Sequence, residues 1–166
     1  MRKYKMADLI INTNDTFKCN NINPVINNMF EIVSNNMSKI LNTKINTSDY
    51  NIWKKNILNN KNIKTIIRNT DRLNGYLQYI EDTNEAFICE IQIAENNQHV
   101  HRTLNKLLLE FLNQINIQDN DNIYSNINIK NEHSINVFTH IGFVKINNKY
   151  QISKKDLSNY ILKNKR

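Results

Sequence analysis

Residues 86–112 read AFICEIQIAENNQHVHRTLNKLLLEFL, and this stretch decides the fold. Phe87, Cys89, Ile91 and Ile93 recur at period two, the spacing of a strand with one buried face. Val100, Leu104, Leu107, Leu108, Phe111, Leu112 and, just beyond the stretch, Ile115 fall on one side at a period of 3.6, which predicts an amphipathic helix. A polar turn joins the two. A strand that runs straight into a helix leaves the first helical N–H groups unpaired and points the positive end of the dipole into the same crevice, a setting that suits a phosphate. Any such junction has this geometry, so by itself it names no ligand.

Working outward, Lys64 to Asn69 and Arg72 to Glu81 read as two strands joined by a tight turn at Thr70 and Asp71. Asp82, Thr83 and Asn84 make the turn into the strand that opens the stretch. Upstream, Tyr4, Met6, Leu9 and Ile11 predict a first strand within residues 4–12. A helix follows from Ile22, carried by Val25, Ile26, Met29, Phe30, Val33, Met37, Ile40 and Leu41, with Pro24 near its start, where a missing N–H costs nothing. Thr47, Ser48 and Asp49 offer N-caps for a short helix bearing Tyr50, Trp53 and Ile57. Downstream, Ile123, Ser125, Ile127 and Ile129 alternate as a strand, and Ile135, Phe138 and Ile141 mark a helix. Phe143 to Ile146 and Tyr150 to Ser153 form a hairpin, and a frayed basic helix from Lys154 carries Leu157, Tyr160 and Ile161. The order is a mixed α/β domain with long antiparallel stretches.

The chain has 166 residues, enough for one domain with a real core over residues 1–166. Its bias to Asn, Ile and Lys leaves both apolar periods intact, so the vocabulary is skewed on a folded protein. No run approaches the roughly 18 apolar residues of a membrane span, and the first segment lacks a cleavage site, which predicts a cytoplasmic protein without a membrane partner. Cys19 and Cys89 read as free thiols. The formal charge of +7 is concentrated between Lys145 and Arg166, where seven basic residues face only Asp156, while residues 81–95 carry acidic residues alone. A basic segment at 154–166 is most often a solvated surface and otherwise a dock for a polyanion. His99 and His101 lack a carboxylate or cysteine at supporting spacing, so no metal is assigned.

Two blocks resemble the GNAT family of acyl-CoA-dependent N-acetyltransferases, and the resemblance extends over essentially the whole chain. Asn131, Ser134, Phe138, Gly142 and Phe143 stand at the spacing of the family's second motif, and Gln98 stands where its pyrophosphate loop opens. Gly75 followed by Tyr76 fits the third strand of such proteins. Two departures touch the site: His101 and Thr103 replace the small residues of the loop, and Phe138 stands where a tyrosine often protonates the leaving thiolate.

The resemblance implies a GNAT-like domain, a mixed and mostly antiparallel sheet flanked by helices, that uses acetyl-CoA as cosubstrate. The diphosphate would rest on Gln98, His99, Val100, His101, Arg102 and Thr103, the thioester beside Ile93 and Ala94, with Asn131 and Phe138 on the cofactor side. A primary amine, small molecule or protein, would attack the thioester directly, with Glu90 as general base and a backbone N–H of the fourth strand polarising the carbonyl. The acidic residues near the acceptor end would favour a cationic amine. A monomer or a homodimer suits this reading. The first alternative is a catalytically impaired GNAT-fold binding or scaffolding protein. An RNA-associated basic protein ranks last, because nucleic acid readers of known type add an aromatic-rich strand motif that this chain lacks.

Overall fold

The computed structural model describes residues 10–11, 22–69, 72–95 and 102–165. Strand β1 (Ile10–Ile11) is followed by helices α1 (Ile22–Leu41) and α2 (Thr47–Asn59) and strands β2 (Lys64–Asn69), β3 (Leu73–Glu81) and β4 (Glu85–Ile93). Then come α3 (Arg102–Gln114), β5 (Asn122–Ser125), α4 (Glu132–Ile141), β6 (Val144–Ile146), β7 (Lys149–Ser153) and α5 (Lys154–Lys163). This is the expected order. The predicted turn at Thr70 and Asp71, Cys19 and most of the predicted first strand lie outside the described residues. The N-cap of α2 is Asn46, one residue before the expected trio: its side chain accepts from Asp49 N at 3.0 Å while Asp49 accepts from Asn46 N at 2.9 Å, a reciprocal capping box.

Among the described residues the strands form one seven-stranded sheet in the order β1-β2-β3-β4-β5-β7-β6. Every neighbouring pair is antiparallel except β4 and β5. A parallel pair needs a crossover, and α3 supplies it. Helices cover both faces, which is why β3 is buried along most of its length. On one face α3, α4 and α5 close over a core that includes Leu77, Tyr79, Ile88, Leu107, Leu108, Phe111, Ile123 and Leu157. On the other, α1 and α2 close over a smaller one with Ile26, Met29, Val33, Ile57, Ile67 and Tyr76.

One feature of β4 corrects the period-two reading. Pairing with β3 passes from Gln78↔Glu90 to Tyr79↔Ile88, so Cys89 is an extra residue in a bulge. The bulge shifts side-chain parity by one. Ala86 and Ile88 before it, and Ile91 and Ile93 after it, therefore belong to the same core on the α3 side. Phe87 and Cys89 are only half-buried, whereas Ala86 and Ile88 are each 1% exposed.

The C-terminal helix also differs from the expectation of a frayed end. Ser153 caps α5 by accepting from Asp156 N at 3.1 Å, and Leu157 and Ile161 are buried in the larger core. Lys154 donates to the carbonyls of Ile117 at 2.8 Å and Ile115 at 3.3 Å, so one of the "tail" cations is structural.

Candidate functional site

Strands β4 and β5 pair only from Glu85↔Asn122 to Ile88↔Ser125. Beyond Ile88, β4 continues for five residues to Ile93 while β5 has ended, and the bulge at Cys89 turns the extension. The strands are thus open at one end, and the backbone groups of β4 directed to that side have no described strand to pair with. A cleft of about 260 Å³ occupies the opening. Its walls are Ile91, Gln92 and Ile93 from β4, Asn36, Lys39 and Ile40 from α1, Leu104 from α3, and Asn131, His133, Ser134, Val137 and Phe138 from the start of α4 and the turn before it.

The wall at α4 is set by local chemistry. Asn131 caps α4, its Oδ1 accepting from Ser134 N at 3.1 Å. Its carbonyl oxygen is therefore committed to the helix, while no hydrogen bond is made by its Nδ2 among the described residues. Phe138 packs on Phe143 with ring centroids 4.7 Å apart and is both core and cleft wall. Gly142 ends α4 with φ at +117°, in the left-handed region that a side chain disfavours.

On the α1–α2 side, Glu90 is drawn beneath the helices. Tyr76 OH donates to Glu90 Oε1 at 3.0 Å and Gln92 Nε2 donates to the same oxygen at 3.2 Å. Gln92 Oε1 in turn accepts from Asn36 Nδ2 at 2.9 Å, and Asn36 also donates to the Ile93 carbonyl at 3.1 Å. Burial raises the Glu90 pKa above the usual carboxylate range, against the lowering by Tyr76, Gln92 and Trp53. The indole N–H of Trp53 is buried and closes no hydrogen bond. Burial and then the Glu90 charge push the Tyr76 hydroxyl well above its ordinary value, and the same two causes push the Cys89 thiol up to about 11. Gln92 lines the cleft, and Glu90 stands one side chain behind it.

Of the residues named from the sequence, Ile93, Asn131 and Phe138 meet in this cleft. Ala94 does not line it: its N–H is donated to the Asn74 carbonyl at 2.8 Å, and it borders a separate depression with Leu73 and Glu95. Thr103 is buried at 3% exposure, accepts from Arg68 Nη1 at 3.4 Å and packs against the sheet. Arg102 is exposed and lines a neighbouring hollow. Gln98, His99, Val100 and His101 lie outside the described residues. Sequence reasoning missed Tyr76, Gln92, Asn36 and Trp53 as companions of Glu90. Their spacing carries no signal, because a strand bulge and two helices bring them together.

The acidic run 81–95 is not one patch. Glu81 pairs with Lys64 at 3.5 Å and accepts from Asn116 N near the hairpin end, Glu95 pairs with Lys39 at the far end, and Glu90 is half-buried between them. No group of residues able to hold a metal occurs among the described residues. No described helix is long and apolar enough to cross a membrane.

No family model matches the chain, and no curated protein matches it in sequence. Solved structures do match in fold. An acetyltransferase of the GNAT family from Staphylococcus aureus aligns at a TM-score of 0.62 and 17% identity, covering 90% of this chain and 100% of that one. The PaiA N-acetyltransferase of Thermoplasma acidophilum, solved with coenzyme A, aligns at 0.61 and 13% identity over 89% and 99% of the two chains. Spermidine N-acetyltransferase from Vibrio cholerae, solved with CoA and spermine, aligns at 0.59 and 13% identity over 82% and 94%. The chain has the GNAT acetyltransferase fold.

Proposed function

We propose that this protein is an N-acetyltransferase that moves an acetyl group from acetyl-CoA to a primary amine by direct attack. The observation that carries this reading is the cleft at the open end of β4 and β5, a largely apolar slot edged by unpaired strand backbone and backed by a half-buried carboxylate. An extended pantetheine fits such a slot, because its amides find the β4 backbone groups that β5 does not reach. Acetyl-CoA supplies the activated acyl group as a thioester.

The chain's own residues then have distinct tasks. Glu90, whose raised pKa makes it a better base than an exposed carboxylate, takes the proton of the acceptor amine through a water beside Gln92. A β4 backbone N–H facing the cleft donates to the thioester carbonyl oxygen as charge develops there. The amine nitrogen forms the new C–N bond, the C–S bond breaks, and the thiolate takes its proton from solvent, since Phe138 has no hydroxyl to give. Ile93 and Phe138 exclude water from the acyl end, and Asn131 offers its Nδ2 to the pantetheine. The diphosphate is assigned to the segment Gln98, His99, Val100, His101, Arg102 and Thr103, with Thr103 contributing backbone alone, because its hydroxyl is engaged with Arg68.

Calorimetry with acetyl-CoA and CoA tests the reading, and absence of binding up to millimolar ligand ends it. Glu90→Gln should lower kcat for a reactive amine by about 10²-fold or more while leaving the KM for acetyl-CoA nearly unchanged. Binding without transfer to any amine would favour the second reading, a scaffolding protein that keeps the fold, for which the hydroxyl-free Phe138 speaks.

A further inference from the structure

The pairing register carries one row of side chains straight across five strands: Ile80 on β3, Phe87 on β4, Tyr124 on β5, Gln151 on β7 and Val144 on β6. Ile146, opposite Lys149, leaves β6 on the same side as Val144. The rows to either side point the other way: Ala86, Ile123 and Ile152 in one, and Tyr79, Ile88 and Tyr150 in the other, belong to the larger core. The row itself therefore faces the α1–α2 side. Those helices do not reach it. The core beneath them takes Ile67, Leu73, Tyr76 and Ala94 from the sheet side, and none of Ile80, Phe87, Tyr124, Val144 and Ile146 belongs to either core. Val144 is 59% exposed and Ile146 46%, while Ile80, Phe87 and Tyr124 are half-buried. Antiparallel sheets ordinarily turn polar residues to an uncovered face, so an apolar row there marks a surface made for contact.

The charges on this face say what fits it. Glu85, with Asn122 and Ser153, occupies the next row on the same face toward the start of β4, and Lys149 occupies the next row on the opposite side. Both are exposed, and neither forms an ion pair among the described residues. Tyr124 lies midway between them by register, with Lys149 Nζ 5.6 Å from its ring centroid. The face thus balances one negative corner against one positive corner, on a chain whose net charge is +7. A uniformly acidic or basic partner gains nothing from such a pattern. A two-fold axis through Tyr124 uses it fully, because it sets Glu85 of each copy against Lys149 of the other, the self-complementary arrangement of an isologous pair.

We infer that two copies of the chain pair through this sheet face, apolar row on apolar row, with Glu85 and Lys149 exchanged across the two-fold axis. The pairing is independent of the acyl-CoA reading and uses none of the residues assigned to it.

Sedimentation of the full chain over a range of concentrations tests it. Wild type should dimerise with a Kd of about 10 µM or tighter. Val144→Asp, at an exposed position outside both cores, should weaken the dimer by about tenfold or more. Glu85→Lys and Lys149→Glu should each do the same, since each sets two like-charged pairs in the contact, although the first raises the net charge and the second lowers it. E85K/K149E should return the Kd to within about threefold of wild type. A wild type still monomeric at about 100 µM overturns the inference. So does a dimer untouched by Val144→Asp, or a double variant that dimerises no better than the single ones. Weakening by Glu85→Lys but not by Lys149→Glu also overturns it, because repulsion between whole molecules then accounts for the effect.

Discussion

On the face covered by α3, α4 and α5, the sheet meets its helices mainly through hydrocarbon, with Arg68–Thr103 and Tyr79–Gln114 as polar contacts: Leu107, Leu108, Phe111, Ile123 and Leu157 are all nearly inaccessible, and the Phe111 ring meets Tyr79 edge-on at 5.0 Å. On the face covered by α1 and α2 the core is smaller, and a carboxylate with its hydrogen-bonded companions runs through it from Tyr76 to Asn36. A buried polar network that is only partly satisfied stabilises less than an apolar core of the same size. The difference teaches where each kind of work is done. The first face holds the fold, and the second carries a group whose environment is tuned at a cost in stability.

The largest effects should fall on the first face. Phe111→Ala is expected to cost about 3–5 kcal/mol, since it removes a whole ring from the centre of the larger cluster. Met29→Ala, at 1% exposure on the other face, is expected near the low end of its class, about 2 kcal/mol, because the flexible neighbours of a smaller core refill more of the space. Urea unfolding of both variants gives the two numbers. A Met29→Ala cost equal to that of Phe111→Ala would break the comparison.

A smaller effect is expected where the two faces touch. A Cβ at Gly75 on β3 would lie 2.7 Å from the Gln92 carbonyl oxygen, 3.1 Å from Thr103 Cγ2 and 3.3 Å from Ile93 Cα. Backbone cannot step aside as a side chain can, so Gly75→Ala should cost about 1–3 kcal/mol and should also weaken binding in the cleft, whose wall includes Gln92 and Ile93. Loss of stability with unchanged binding of CoA would show that the displacement is absorbed by α3 instead.

Gly75 also shows what was legible in the chain and what was not. The period of 3.6 from Leu104 to Ile115 and the alternation of β5 reflect burial of one face, the unbroken burial of β2 and β3 reflects helices on both sides, and the turns between them completed the element order. The motif spacing from Asn131 to Gly142 was readable because a cap and a left-handed helix end need particular residues at those places. The bulge at Cys89 was not readable, since nothing in FICEIQI distinguishes an extra residue from regular alternation. With the parity of β4 misassigned, Glu90 could be placed on a strand but not beneath Trp53 and beside Tyr76. The C-terminal helix was underrated for a different reason: its charge is visible in composition, whereas its anchoring depends on two residues, Leu157 and Ile161, meeting a core built elsewhere.

The pH dependence of stability separates the faces further. Glu90 has a folded-state pKa above its unfolded value, so the folded protein holds that proton more tightly than the unfolded chain does. Its contribution is most favourable below the unfolded value near 4.5 and is lost as pH rises through the higher folded value. Glu90→Gln has no charge to desolvate. The variant should therefore gain stability relative to wild type as pH rises from about 4.5 through the higher folded value, the same change that removes the proposed base. A gap between the two proteins that stays constant over this range would mean that Glu90 is not held in a desolvated site.

Trp53→Phe should have the smallest effect on stability and yet probe the network most selectively. An aromatic ring is kept, and what is lost is part of the indole surface together with an N–H that is buried without a hydrogen bond. Removing an unsatisfied donor leaves stability within about 1 kcal/mol of wild type, with gain as plausible as loss. The indole does, however, act to lower the Glu90 pKa, so its N–H favours the charged carboxylate even without closing a bond. Without that dipole the Glu90 pKa rises further, and the limb of the activity profile that follows Glu90 ionisation moves to higher pH. Stability loss well beyond about 1 kcal/mol would indicate that the N–H is satisfied after all. An unmoved limb would place the titrating base elsewhere. The indole also packs against Phe30 and Tyr50, so the shift of the pH limb, which lost packing does not mimic, is the readout that reports on the charge.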